Sequence, residues 1–333
     1  MGTPTGTGES VITVSGLRMR YDDSFEAVRG IDLEVRRGEV FAFLGPNGAG
    51  KTTTVEILEG YRRRTAGDVT VLGEDPAHAG PSWRARIGVV LQESRPERDL
   101  TVAECLRLYA GYYPSPRGID ETMELVGLVG QADATATRLS GGQRRRLDVA
   151  LSLIGDPELL FLDEPTTGFD PSARRAAWDM IAGLRSLGVT VFLTTHFMDE
   201  AEHLADHVMV ISEGRIVAAG PPGTLGGRQR AAAEITFTLP PGASLAALPG
   251  PVRDAVSYGT AGTNGTDHVL LRSARPLAVL GPLIAWAEDA GHDLPDLEVR
   301  RPSLEDVYLA LTEPGADAPP LEPPEAPRHP EAA

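Results

Sequence analysis

The strongest constraint on this chain is the stretch Gly45-Pro-Asn-Gly-Ala-Gly-Lys-Thr-Thr53, which reads G-x-x-x-x-G-K-T. A short apolar run of buried-strand type, residues 39–44, precedes it, and residues 53–58 have the character of a helix start. Strand, glycine loop and helix together give the motif its phosphate-binding meaning. Glycines let successive backbone N–H groups turn inward as an anion nest, and the helix N-terminus adds its positive dipole end. Lys51 then reaches the β- and γ-phosphates as a point charge, and the Thr52 hydroxyl can fill one position around Mg²⁺. A chain with such a loop is expected to build an α/β sheet behind it.

The 333 residues leave room for one large and one small domain. Nothing in the sequence reaches the ~18–20 apolar residues that cross a bilayer, and residues 1–10 lack the basic-then-apolar pattern of a signal peptide. The single cysteine, Cys105, has no partner for an internal disulfide, which fits a reducing compartment. A net charge of −16 argues against a nucleic-acid surface, because that affinity comes from Lys and Arg on phosphates. A cytoplasmic protein is therefore expected.

Residues 1–10 are expected to be disordered, with half-buried strands at 11–14 and 31–35. Tyr21 lies between them and either stacks on an adenine ring or packs on its own sheet. Further strands are expected at 67–72 and 87–91, the second ending at Gln92. That side chain either coordinates metal or attacking water, or simply ends the strand. Thr101 to Glu104 has the form of a capping box, with Leu106, Tyr109, Ala110 and Tyr113 on one helical face and a second helix over 120–129.

Leu139-Ser-Gly-Gly-Gln143 opens another helix, expected to run to Ile154. It is either an ordinary capped start or a second phosphate-binding surface, with Ser140 leading. One chain has no need of two such surfaces for one nucleotide, whereas two chains head to tail would use both. The run 158–162 is a strand buried on both faces, with Asp163 and Glu164 at its C-terminal end, where open α/β sheets bind ligands. Asp163 suits holding Mg²⁺, and Glu164 suits positioning or deprotonating water. The run 189–195 ends at His196, placed to meet a γ-phosphate or serving structure alone. A helix over 198–205 and strands at 207–211 and 215–218 complete this part.

In this order the motifs closely resemble an ABC-type ATPase from about Val11 to Ala218. The resemblance implies a P-loop NTPase core with an antiparallel β subdomain and a helical subdomain (about 93–155) over residues 11–220. It assigns nucleotide contacts to Tyr21, to Gly45, Pro46, Asn47, Gly48, Ala49, Gly50, Lys51, Thr52 and Thr53, to the signature Ser140, Gly141, Gly142 and Gln143, and to Asp170. It assigns Thr52, Gln92 and Asp163 to Mg²⁺, and Glu164, His196 and Gln92 to hydrolysis. The Phe in Gly168-Phe-Asp170, with Ser140–Arg146 and Thr195–Ala201, is most similar to ATP-binding subunits of the daunorubicin-resistance type. ATP and Mg²⁺, a homodimer holding two ATPs, and a separate membrane permease at the cytoplasmic face are implied with it. A ribosome-acting or DNA-repair ATPase of the same type, or a regulatory module that binds ATP without hydrolysing it, stands as the alternative. The single motif set and the 47 residues between Gln92 and Ser140 disfavour the first, and the presence of Glu164 and His196 the second.

Residues 221–312 are expected to form a small α+β accessory domain, with strands near 234–239, 268–271 and 297–300, a helix at 277–290 and a Ser303-capped closing helix. From Glu313 onward, seven prolines and five acids in twenty-one residues have the composition of a disordered tail.

Overall fold

In the computed structural model the described residues are 8–21, 25–90, 99–228, 231–261, 267–294 and 296–312. They belong to two compact units that divide between Pro222 and Gly223. Gln92, residues 93–98 and the tail beyond Thr312 lie outside the described residues.

Alternation of apolar and polar residues makes β1 (Ser10–Arg20) and β2 (Glu26–Arg36) an antiparallel pair with one face buried. β1 is longer than its sequence pattern indicates, because Gly16, at φ +57°, forms a bulge rather than a strand end. The bulge is held by Asp32, whose carboxylate accepts from the Gly16 N–H at 2.7 Å. The entirely buried β3 (Val40–Leu44) leads to α1 (Lys51–Leu58), and β4 (Ala66–Val71) returns to pair with β1. α2 (Pro81–Arg84) and β5 (Ile87–Val90) follow.

The helical segment holds α3 (Val102–Ala110), α4 (Ile119–Leu125) and α5 (Gly141–Leu153). α3 starts on the expected Thr101–Glu104 capping box. α4 stops at Leu125, short of the expected 129: Gly127 takes a left-handed φ of +66°, and the Leu128 N–H reaches back to the Met123 carbonyl at 2.8 Å. That pair of features is a Schellman stop. Then come β6 (Leu159–Asp163), α6 (Pro171–Ser186), β7 (Thr190–Thr195), α7 (Met198–Leu204), β8 (His207–Ser212) and β9 (Arg215–Gly220). The central sheet has the order β5-β6-β7-β3-β8-β9, parallel except for β9. Its middle strands are buried on both faces, which is why they read as unbroken apolar runs. Phe41, Phe43 and Phe161 all pack on Phe192 with centroids 5.2–5.8 Å apart, tying β3, β6 and β7 together. The carboxyl ends of these three strands thus point the same way, side by side.

The second unit contains β10 (Ala233–Thr238), α8 (Gly250–Arg253), β11 (Val256–Ala261), β12 (Asp267–Ser273), α9 (Pro276–Asp289), β13 (Glu298–Arg300) and α10 (Leu304–Thr312). Its antiparallel sheet has the order β11-β12-β10-β13. Ile235, Phe237, Val269 and Leu271 face Val252, Val279 and Leu283 in its core. Ser303 caps α10, its hydroxyl accepting from the Asp306 N–H at 3.0 Å.

Candidate functional site

Three strand ends converge on one cavity of about 760 Å³, lined by the 45–53 loop, Tyr21, Phe25, Asp163, Glu164 and His196. The loop leaves β3 at Leu44 and re-enters regular structure at Lys51. Its glycines answer different demands. A Cβ on Gly45 would stand 2.3 Å from the Ile211 carbonyl oxygen of β8, and one on Gly50 would stand 2.5 Å from that of Ala27. Gly50 also caps α1 with a left-handed φ of +107°. Gly48 has φ +80° but nothing within 4 Å of its missing Cβ. Two glycines let the loop press against β8 and β2, and the third sets its curvature.

Lys51 is buried and donates to the carbonyl oxygens of Gly45 (2.6 Å) and Pro46 (3.2 Å). Burial pushes its ammonium pKa down, partly opposed by the charges of Glu164 and Asp163. Those bonds hold it across the loop mouth, ready to exchange carbonyl oxygens for a stronger anion. Thr52 is exposed to the cavity, whereas Thr53 is buried and shares a 2.9 Å hydrogen bond with the Tyr21 hydroxyl. Tyr21 lies face to face with Phe25 (6.0 Å, 27°), and the Arg62 guanidinium sits 4.9 Å from the Tyr21 ring centre. Tyr21 is therefore turned toward the loop rather than folded into its own sheet.

At the end of β6 the backbone of Glu164 takes φ +45°, a strained conformation for a carboxylic side chain. Thr194 of β7 holds it there: its carbonyl oxygen and hydroxyl both accept from the Glu164 N–H, at 3.1 and 3.2 Å. The same hydroxyl donates to the Asp163 carboxylate. From the α5 side, Arg145 donates to the Asp163 carbonyl oxygen at 2.6 Å. The Glu164 carboxylate accepts from Thr167 Oγ1 (3.1 Å) and stands 3.2 Å from His196 Nδ1. Two acids, an imidazole, a lysine and an exposed threonine hydroxyl thus face one space. The oxygen donors of Thr52 and Asp163 are the kind a hard cation takes.

Other predicted residues stand elsewhere. Ser140, Gly141, Gly142, Gln143 and Asp170 are not among the residues lining this cavity. Ser140 and Gln143 form a reciprocal capping box at the start of α5, with bonds of 3.0 and 3.3 Å. Asp170 caps α6, accepting from the N–H groups of Ser172 and Ala173 at 2.9 Å each. Ala49 is buried and presents only its backbone: its N–H bonds Pro46 and its carbonyl accepts from Gly214. Gln92 lies outside the described residues.

Four contributors escaped the sequence reading: Thr194, Thr167, Phe25 and Glu200. The fully buried Glu200 accepts from Thr166 Oγ1 (2.8 Å) and Trp178 Nε1 (3.1 Å), linking α7, α6 and the segment after Glu164. Burial raises its pKa despite these bonds. The one signal for Thr194 is its place two residues before His196, in the Thr-Thr pair that closes β7 after three apolar residues.

Residues 28–167 match the ABC transporter family, and residues 233–303 match the C-terminal domain of ABC transporter domain-containing proteins. The chain is 38% identical to the Nod factor export ATP-binding protein I of Ralstonia nicotianae, over 93% of this chain and 97% of that one. It is also 38% identical to a daunorubicin resistance ATP-binding protein of Streptomyces coeruleorubidus, over 91% and 96%. Among solved structures it resembles cbiO1 of Clostridium perfringens, part of the ABC transporter complex cbiONQ, with a TM-score of 0.58. That match is 28% identical, over 65% of this chain and 90% of that one. With a phosphate loop, paired acids and histidine in one cavity and relatives matched along nearly their whole length, the chain belongs to the ABC transporter family as an ATP-binding, ATP-hydrolysing subunit of the export type.

Proposed function

We propose that this chain drives export of a drug- or antibiotic-like compound through a separate membrane permease, as a homodimer that holds two ATPs between its chains. The observation that carries the ATPase half is the single cavity uniting Lys51, Thr52, Asp163, Glu164 and His196. In this reading the 45–53 backbone and Lys51 grip the phosphates of ATP, and Tyr21 offers its ring to the base. Thr52 and Asp163, with Gln92, would hold Mg²⁺, which would supply charge neutralisation on the phosphates. Glu164, oriented by Thr167 and His196, aligns the attacking water and takes its proton. In the same reading His196, which stands beside Glu164, donates to the γ-phosphate.

The exposed helix start at Ser140–Gln143 and the nearby cap Asp170 do not line their own chain's cavity, which supports their use on the nucleotide of a second chain. No helix among the described residues is long and apolar enough to cross a membrane, so the permease is proposed to be a separate chain. The export direction and the class of cargo rest on relatives named for Nod factor export and daunorubicin resistance.

The test is co-expression with each candidate membrane permease. Recruitment to the membrane fraction and drug efflux that stops with Lys51→Ala are expected. A chain that remains out of the membrane fraction, or copurifies with ribosomes, overturns the transporter reading.

A further inference from the structure

His196 follows β7 and its side chain is 43% exposed, with the Glu164 carboxylate 3.2 Å from its Nδ1. One polar contact of that kind leaves an exposed side chain much of its rotamer freedom. A second hold comes from the next residue. The Phe197 ring lies 4.1 Å from the imidazole, centre to centre. Arg174 brings its guanidinium carbon to 4.1 Å from the centre of the same ring. Guanidinium, phenyl ring and imidazole thus make one continuous contact from α6 to the nucleotide cavity that His196 lines.

The surroundings of Arg174 give it little other reason to be there. Its approach to Asp199 is 3.5 Å, at the limit of a hydrogen bond, and Glu200 attracts it through space. Its Nε is buried with no hydrogen-bond partner among the described residues. It also stands in the first turn of α6, where the helix dipole disfavours a cation. Its backbone is fixed at that place, the N–H donating to the Asp170 carbonyl oxygen at 2.9 Å. Phe197 is fixed likewise, its N–H donating to Thr195 Oγ1 at 3.0 Å. A guanidinium that forgoes hydrogen bonds in order to lie on an aromatic ring gains its attraction from that ring.

We propose that Arg174 is a positioning residue for ATP hydrolysis: it steadies the Phe197 ring, which in turn holds the His196 imidazole against Glu164. This deepens the reading of His196 given above and rests on it.

The experiment is steady-state ATPase kinetics on full-length variants. Arg174→Met and Phe197→Leu remove the cation and the ring while keeping bulk. Each should lower kcat about tenfold, a part of the roughly 10²–10⁴-fold that aligned proton transfer supplies, with KM for ATP changed by less than about twofold. Arg174→Lys and Phe197→Tyr keep the cation and the ring, and each should retain at least about half of wild-type kcat. In a His196→Ala protein, Arg174→Met should lower kcat no further. An equal loss in that background overturns the inference and leaves the role of His196 intact, whereas a His196→Ala protein with wild-type kcat overturns both. Ring-nitrogen NMR of the histidines gives a readout independent of turnover, with the His196 signals identified by their absence from His196→Ala. They should move in Arg174→Met and return in Arg174→Lys. His196 signals that stay in place in Arg174→Met overturn the inference even where kcat falls.

Discussion

Replacing Gly45 and Gly48 one at a time by alanine separates packing from backbone conformation within a single loop. At Gly45 the added methyl carbon would lie 2.3 Å from the Ile211 carbonyl oxygen, 2.9 Å from Ile211 Cγ2 and 3.3 Å from Ala49 Cβ. Relief requires a movement of roughly 1 Å, since non-bonded heavy atoms settle at about 3.5 Å. Neither side yields easily: Ile211 belongs to β8, paired with β3 and β9, and Ala49 is held by Gly214. Such overpacking costs up to about 3 kcal/mol and sometimes more. For a unit of this size that is a fall of about 6–12 °C in melting temperature. At Gly48 the methyl meets nothing within 4 Å, and only the φ of +80° is penalised. That cost is about 1–2 kcal/mol, reduced by the stiffer unfolded chain, so the fall is roughly 2–4 °C. Calorimetry of the nucleotide-free proteins makes the comparison. If Gly45→Ala melts within 2 °C of wild type (a margin set by roughly the smallest of these effects), or above Gly48→Ala, the loop is not wedged against β8 as described.

Two further outcomes follow from buried acids. Glu200→Ala strips Thr166 and Trp178 of their acceptor and should cost about 2–4 kcal/mol in urea unfolding. Glu200→Gln keeps a carbonyl there and should cost under about 1 kcal/mol; equal losses would contradict the hydrogen-bonding role. Glu59, with its pKa raised from 4.5 to about 8, binds a proton in the folded state that the unfolded chain has already lost. Its contribution to stability is therefore complete below pH 4.5 and disappears as pH rises to about 8. Wild type should lose up to a few kcal/mol more than Glu59→Gln across that window. Parallel stability curves would refute it.

Motifs whose chemistry dictates residue type were legible in the sequence. The glycine loop announces itself because close approach and left-handed φ leave no other residue, and the acids at the end of β6 because the four residues before them are all apolar. Capping boxes at Thr101, Ser140 and Ser303 were equally readable, being local in sequence. What stayed hidden was α6, sixteen residues long, although Asp170 followed by Pro171 is a strong start signal. Its buried stripe is only Ala177, Ile181 and Leu184, too sparse to mark a sixteen-residue helix by periodicity. β1 was underestimated because Gly16 looks like a strand end until the bulge is seen. Thr194 and Glu200 became visible only when elements distant in sequence were set side by side, since nothing local marks a threonine as the brace of the Glu164 backbone and the Asp163 carboxylate. The separation of the Ser140 helix start from its own chain's cavity depends on how the helical segment packs, which no local run of sequence records.

The shared-nucleotide ATPase is tested most directly with Glu164→Gln, which keeps the shape of the side chain and removes its basicity. The variant should still bind ATP, hydrolyse it at well under a hundredth of the wild-type rate, as removal of a general base worth about 10²–10⁴-fold requires, and elute as a dimer in size-exclusion chromatography with Mg²⁺ and ATP. A Glu164→Gln protein that remains monomeric under those conditions and turns over ATP normally would contradict both the role of Glu164 and the paired arrangement built on Ser140.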